Sequence, residues 1–151
     1  MSDSVKGPPA GYRTTFAKIM RILAMVTGTL VAVQFALAGF GAFGSFHNER
    51  DWDAHETLGT IIGVFTLVVL ITALVARPGT RALVGSIVLF VLAAPIQPIL
   101  AAAGKNDSVG WGALHAFTGV VILAMCGLVS RKIDLTQRPA PTPTPTASVP
   151  S

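Results

Sequence analysis

Four stretches of this chain, 22–43, 57–76, 82–104 and 109–130, carry no charged residue. Each is close to the roughly 20 residues with which an α-helix crosses a hydrocarbon core about 30 Å thick. A backbone in lipid has to satisfy its own hydrogen bonds, so helices are the form such stretches take. The sequence places the spans at 17–43, 54–76, 82–103 and 111–130. With 52% hydrophobic and 12% charged residues and a mean hydropathy of +0.66, the composition is far from that of a water-soluble domain. The expected fold is all-α, an integral membrane four-helix up-down bundle in a lipid bilayer.

The formal charge of +4 acquires meaning only from its distribution. Lys6, Arg13, Lys18 and Arg21 lie before or at the start of the first span, Arg77 and Arg81 between the second and third, and Arg131, Lys132 and Arg138 after the fourth. Only Arg50 and Lys105 fall in the other two loops, beside Glu49, Asp51, Asp53 and Asp107. By the positive-inside rule both termini face the cytoplasm, with "SFHNERDWD" and "GKNDSVGWG" outside, in a multi-pass protein of the bacterial plasma membrane. The basicity reports topology and gives no reason to expect a nucleic-acid partner. An alternative treats the start of the first span as a signal peptide cleaved after Ala36-Leu37-Ala38. Against it, the apolar character runs on through Phe40 and Phe43. The single Cys126 excludes an internal disulfide and the paired-cysteine attachment of a c-type haem.

Three segments divide the chain. Residues 1–16 are polar and bear Pro and Gly, and are expected to be disordered or loosely held at the cytoplasmic surface. Residues 17–132 form the four-span domain. Residues 133–151, "RPAPTPTPTASVPS" among them, alternate Pro with Thr and favour an extended, disordered cytoplasmic tail, a linker or a docking segment. In the first outer loop Asn48 is a candidate helix cap, followed by Glu49 and Asp51 at the positive helix end. Tyr12, Trp52 and Trp111 stand where interfacial aromatics belong, and "ARPGTR" reads as a tight cytoplasmic turn.

The spans repeat in pairs. "VQFALAGFG" in span 1 matches "IQPILAAAG" in span 3 through aliphatic-Gln-x-x-Leu-Ala, which sets Gln34 against Gln97. "HETLGTII" matches "HAFTGVVI" through His-x-x-x-Gly, which sets His55 and Gly59 against His115 and Gly119. Two tandem helical hairpins of one design, related by an axis along the membrane normal, follow from this order.

In an up-down bundle spans 2 and 4 lie across the diagonal, and inward residues on them face each other. His55 and His115 lie at similar depth near the outer ends of their helices, where two imidazoles can hold a metal axially. The cofactor that fills such a gap is haem, with neutral imidazole as iron ligand. Gly59 and Gly119 fall one turn below on the same faces, where a flat macrocycle would lie against backbone. Its propionates would point toward Arg50, Lys105 or His47. The structural alternative takes the histidines as interfacial residues and the glycines as helix-packing positions.

Gln34 and Gln97 are the deepest strongly polar side chains and are expected to face the interior. They are read either as glue between helices 1 and 3, bonding each other or a backbone carbonyl, or as contacts to a cofactor rim or a quinone headgroup. Pro95 and Pro98 flank Gln97, and a kink there would free carbonyls for its amide. By rise per residue Gln34 is expected about 10 Å deeper than His55, too deep to touch the imidazole. Glu56 is read as a solvated helix-start charge or a proton acceptor near the site. The chain contains no phosphate loop, Ser-His-Asp set, metalloprotease motif or midplane charge relay, so an independent enzymatic activity is not expected.

The run of "QFALAGFG", "HETLG", "IQPIL" and "LHAFTGVVIL" resembles small four-span membrane proteins common in actinobacteria, over roughly residues 12–132. More distantly it is similar to half of a haem A synthase and to small membrane cytochromes b. That likeness implies ligand roles for His55 and His115, one b-type haem, and work in electron transfer or beside a respiratory or redox complex. The chain has only four spans and one histidine pair, which argues against synthase activity. The alternative is a non-catalytic structural or regulatory membrane subunit without a cofactor.

Overall fold

A computed structural model of the protein describes residues 10–43, 50–106 and 109–131. The candidates His47 and Asn48, the first nine residues and the Pro/Thr-rich tail lie outside them. The chain forms α1 (Ala10–Phe43), α2 (Arg50–Ala76), α3 (Thr80–Val91), a single π turn (Leu92–Ile96), α4 (Gln97–Asn106) and α5 (Val109–Arg131), with no strand among the described residues. α3, the π turn and α4 run on as one span, Thr80–Lys105. Four helical stretches are thus long and apolar enough to cross a membrane, and on length and composition the chain is a multi-pass membrane protein.

Packing follows the chain around a square. α1 packs on α2 and α5, α2 on α1 and on the third span, and the third span on α2 and α5. Spans 1 and 3 are left on one diagonal and α2 and α5 on the other, the arrangement of two tandem hairpins in an up-down bundle. α1 starts at Ala10, within the segment expected to be loosely held. There Tyr12 stacks on Phe16 one turn later, and the Thr15 hydroxyl bonds the Gly11 carbonyl, so the first turns support themselves.

The core is a heptad seam. Its positions are Ala17, Met20, Ala24, Thr27 and Val31 on α1, Ile62, Thr66, Val69, Ala73 and Ala76 on α2, Ala82, Ser86, Leu89 and Ala93 on the third span, and Thr118, Ile122, Cys126 and Val129 on α5, with Thr72 and Leu100 buried beside it. Steps of three and four along each helix keep one narrow stripe facing inward. Most of these residues are small, because helices in lipid gain little from burying apolar surface and associate by close packing instead. The buried hydroxyls of Thr27, Ser86 and Thr118 donate to carbonyls four residues back in their own helix. They therefore leave no polar group stranded in the core. Large side chains such as Ile22, Phe40, Ile99 and Phe117 are exposed on the flanks, where lipid would meet them.

α2 ends on Arg77, whose φ of 49 is left-handed and whose N–H bonds the Ala73 carbonyl. Pro78 and Gly79 then turn the chain, with Gly79 at φ 100, a conformation open to glycine and strained for other residues. The tight turn read from "ARPGTR" is present.

The third span departs from the other three at Pro95. Proline has no N–H to donate and its ring crowds the carbonyl of the preceding turn. The helix widens around it into a π turn closed by the Gln97 N–H on the Leu92 carbonyl. Numbering shows what this does. Met20, Ala24, Thr27 and Val31 keep one constant offset from their counterparts Ala82, Ser86, Leu89 and Ala93, whereas Gln34 and Gly41 keep an offset one residue larger from Gln97 and Gly104. The π turn absorbs a single extra residue in the second hairpin.

Candidate functional site

The seam continues upward from Ile62 to Gly59 and His55, and from Ile122 to Gly119 and His115, so both histidines face the interior. Their rings meet across the α2–α5 diagonal with centroids 6.2 Å apart and planes inclined by 59°.

Each imidazole is held by the glutamine of its own hairpin. Gln34 Nε2 donates to the His55 carbonyl at 2.7 Å, and His55 Nδ1 lies 3.2 Å from the Gln34 carbonyl. The second hairpin repeats both contacts, Gln97 Nε2 to the His115 carbonyl at 3.1 Å and His115 Nδ1 to the Gln97 carbonyl at 3.2 Å. A carbonyl oxygen only accepts, so each Nδ1 must carry its proton. Nε2 of a neutral ring is then a bare lone pair, with no hydrogen-bond partner among the described residues. The same logic fixes the glutamines: with Nε2 donating, Oε1 of Gln34 and of Gln97 is left buried and without a partner.

Two expectations are corrected here. Gln34 is not too deep to reach the imidazole; it lies level with Gly59, one turn below His55. In antiparallel helices the carbonyls of α1 and α2 point toward each other's levels, so the Gln34 carbonyl reaches up and the His55 carbonyl reaches down. Nor do the glutamines bond each other, or a carbonyl freed near Pro95, between helices 1 and 3. Each closes its own hairpin, because the amide finds the neighbouring histidine's carbonyl first.

Gly59 and Gly119 are where the glutamines cross. A Cβ on Gly59 would stand 3.1 Å from Gln34 Nε2, and one on Gly119 would stand 3.1 Å from Phe35 Cζ and 3.5 Å from Gln97 Nε2. These faces take the amides and Phe35. One further pair lies toward the histidine end of each hairpin. Trp52 packs on Gly41, where a Cβ would come within 2.9 Å of the indole, and meets His55 edge-on at 5.6 Å. In the second hairpin Gly104 approaches the Gly112 backbone so closely that a Cβ would lie 3.1 Å from its nitrogen. Trp52, Gly41 and Gly104 were not identified from sequence as site residues; the equal spacing of Gln34 from Gly41 and Gln97 from Gly104 was the available signal.

Glu56 is exposed and ion-paired with Lys105 across the top of the bundle, as a solvated helix-start charge. Arg50 is the first residue of α2, at this same end; its side chain lies outside the described residues. Among the described residues no three His, Cys, Asp or Glu side chains gather as a metal cluster.

A protein family described as "Family of unknown function (DUF6220)" matches residues 34–104, from Gln34 through Gly104. The match takes in His55 and Gln97 and stops before His115. No curated protein and no solved structure matches the chain.

Proposed function

We propose that this protein holds one b-type haem between α2 and α5, with His55 and His115 as the residues that would hold its iron, and serves electron transfer alone or beside a redox complex. The observation that carries the reading is the imidazole pair, whose centroids are 6.2 Å apart. Two imidazoles binding one metal from opposite sides at about 2 Å hold their ring centres on the order of 6 Å apart. A bond from the remaining ring nitrogen to a backbone carbonyl is the usual support of a ligating histidine, fixing the tautomer and raising the basicity of Nε2.

When bound, the haem supplies one-electron chemistry; the chain's residues orient and insulate it. Gln34 and Gln97 act as positioning residues for the imidazoles through their backbone carbonyls, and their amides close the hairpins rather than meeting the porphyrin, which has no donor for the orphaned Oε1 atoms. Gly59 and Gly119 admit those amides, and Arg50 is the basic residue nearest in sequence for a propionate. The positive-inside pattern supports cytoplasmic termini in a bacterial plasma membrane, with the histidine end outward.

A second reading, a packing subunit without cofactor, draws on the Gln–His bonds themselves, which also serve to clamp each hairpin. A reduced-minus-oxidised absorption spectrum of protein expressed with ample haem and purified in mild detergent separates the two. A b-type α band lost in both His55→Ala and His115→Ala supports the haem reading. A flat spectrum from folded protein leaves the packing reading.

A further inference from the structure

At the end of the bundle away from the histidines, the third span and α5 part to leave a crevice of about 450 Å³. Its walls are two helical stripes, Val84 and Val88 on α3 and Met125 and Leu128 on α5, with Gly85 between them and Thr80 and Arg81 at the rim. Gly85 keeps the floor low, since a Cβ there would stand 3.2 Å from Val129 Cγ2. Arg81 lies one turn before Val84 and Gly85 on the same stripe, and Arg131 follows Leu128 by three residues, which puts it on the other wall's face. Arg77, Arg81 and Arg131 are all exposed, and none has an acidic partner among the described residues.

An apolar slot that opens sideways between spans and ends at arginines with no acidic partner among the described residues is complementary to a phospholipid with a net negative headgroup. Its acyl chain lies along Val84, Val88 and Leu128, and its phosphate meets Arg81 and the Thr80 hydroxyl. We infer that this crevice is a binding site for an anionic phospholipid in the leaflet on the arginine side. Basic pockets between spans on the cytoplasmic side take anionic headgroups for the same physical reason, and an arginine guanidinium matches phosphate oxygens in two-point geometry. The site is at the opposite end from the histidines and does not depend on what they bind.

The test is native mass spectrometry of the full chain in detergent, titrated with phosphatidylglycerol and with phosphatidylcholine of identical acyl chains. Phosphatidylglycerol is expected to bind more tightly, by about five-fold per basic residue engaged. Arg81→Gln is expected to lower that preference by about five-fold and to weaken phosphatidylcholine, which carries the same phosphate without net charge, by less. Val88→Phe, at an exposed position lining the slot, weakens both lipids without touching the buried seam. Equal binding of the two lipids by the parent protein overturns the proposal. So does a headgroup preference that Arg81→Gln leaves unchanged, or binding that Val88→Phe leaves intact, since either places the lipid elsewhere.

Discussion

Gln34 and His55 hold each other through two bonds that run in opposite directions: the Gln34 amide donates to the His55 carbonyl at 2.7 Å, and the His55 ring donates back to the Gln34 carbonyl over 3.2 Å. The exchange fixes at once where α1 meets α2, which tautomer the imidazole adopts and which ring nitrogen remains open. Gln97 and His115 do the same for the second hairpin.

Removing the amide removes one interhelical bond and leaves the ring's own bond to the backbone carbonyl in place. Gln34→Leu and Gln97→Leu are each expected to lower stability by about 1 kcal/mol, the usual worth of a hydrogen bond between membrane helices. The two effects should add, because the clamps belong to different hairpins. Unfolding of single and double variants in mixed detergent micelles checks both statements; a double variant no weaker than either single one would show that the clamps act as one unit.

Trp52 rests on Gly41 with no room for a methyl group between them. Gly41→Ala is expected to lift the indole away from His55 at a cost of about 1–2 kcal/mol, the range for overpacking a filled site. Gly39→Ala, where a Cβ would meet nothing within 4 Å, should be close to neutral. Tryptophan emission, with Trp111→Phe as background, reports the displacement directly.

The Gly104–Gly112 contact is one-sided. A Cβ on Gly104 strikes the Gly112 backbone, whereas a Cβ on Gly112 meets nothing within 4 Å. Gly104→Ala should therefore spread the third span from α5 and cost about 1–3 kcal/mol, since backbone cannot rotate aside. Gly112→Ala should leave the thermal midpoint unchanged. Equal losses from the two substitutions would contradict the geometry.

Glu56 and Lys105 bridge α2 and α4 in the open, with more than half of each side chain exposed. Exposed pairs of this kind contribute little and are screened by salt. Glu56→Gln is expected to leave the thermal midpoint within error of the parent in physiological salt.

The four spans, the hairpin order and the pairing of Gln34 with Gln97 and His55 with His115 were all legible in the sequence, because charge-free length and spacing are one-dimensional properties. The sequence leaves the direction of the histidines open between core and interface, because the face of so uniformly apolar a helix is ambiguous by hydropathy; the signal lay in small and hydroxyl residues at heptad spacing. His55, Gly59, Ile62, Thr66, Val69 and Ala73 form one such seam, and only a count of polar and small positions, not of apolar ones, brings it out. The level of Gln34 was not legible. Rise per residue from the span ends ignores both the extra turn of α2 before residue 54 and the reach of a carbonyl along its own helix. The route around Pro95 was equally hidden, since proline accounts for a missing donor but does not dictate whether the helix bends or widens.

That widening gives the second hairpin an independent adjustment. Each residue taken into or out of a helix turns everything beyond it by about 100°. The single extra residue in Leu92–Ile96 therefore sets the phase between the packed lower half of the third span and the polar upper half that carries Gln97. The span works as two segments coupled through a rotary joint. A one-residue deletion there is expected to close the π turn into the plain α-helix of α1 and keep Gln97 facing His115, whereas a one-residue insertion beyond it would swing Gln97 off His115 and leave Gln34 and His55 undisturbed.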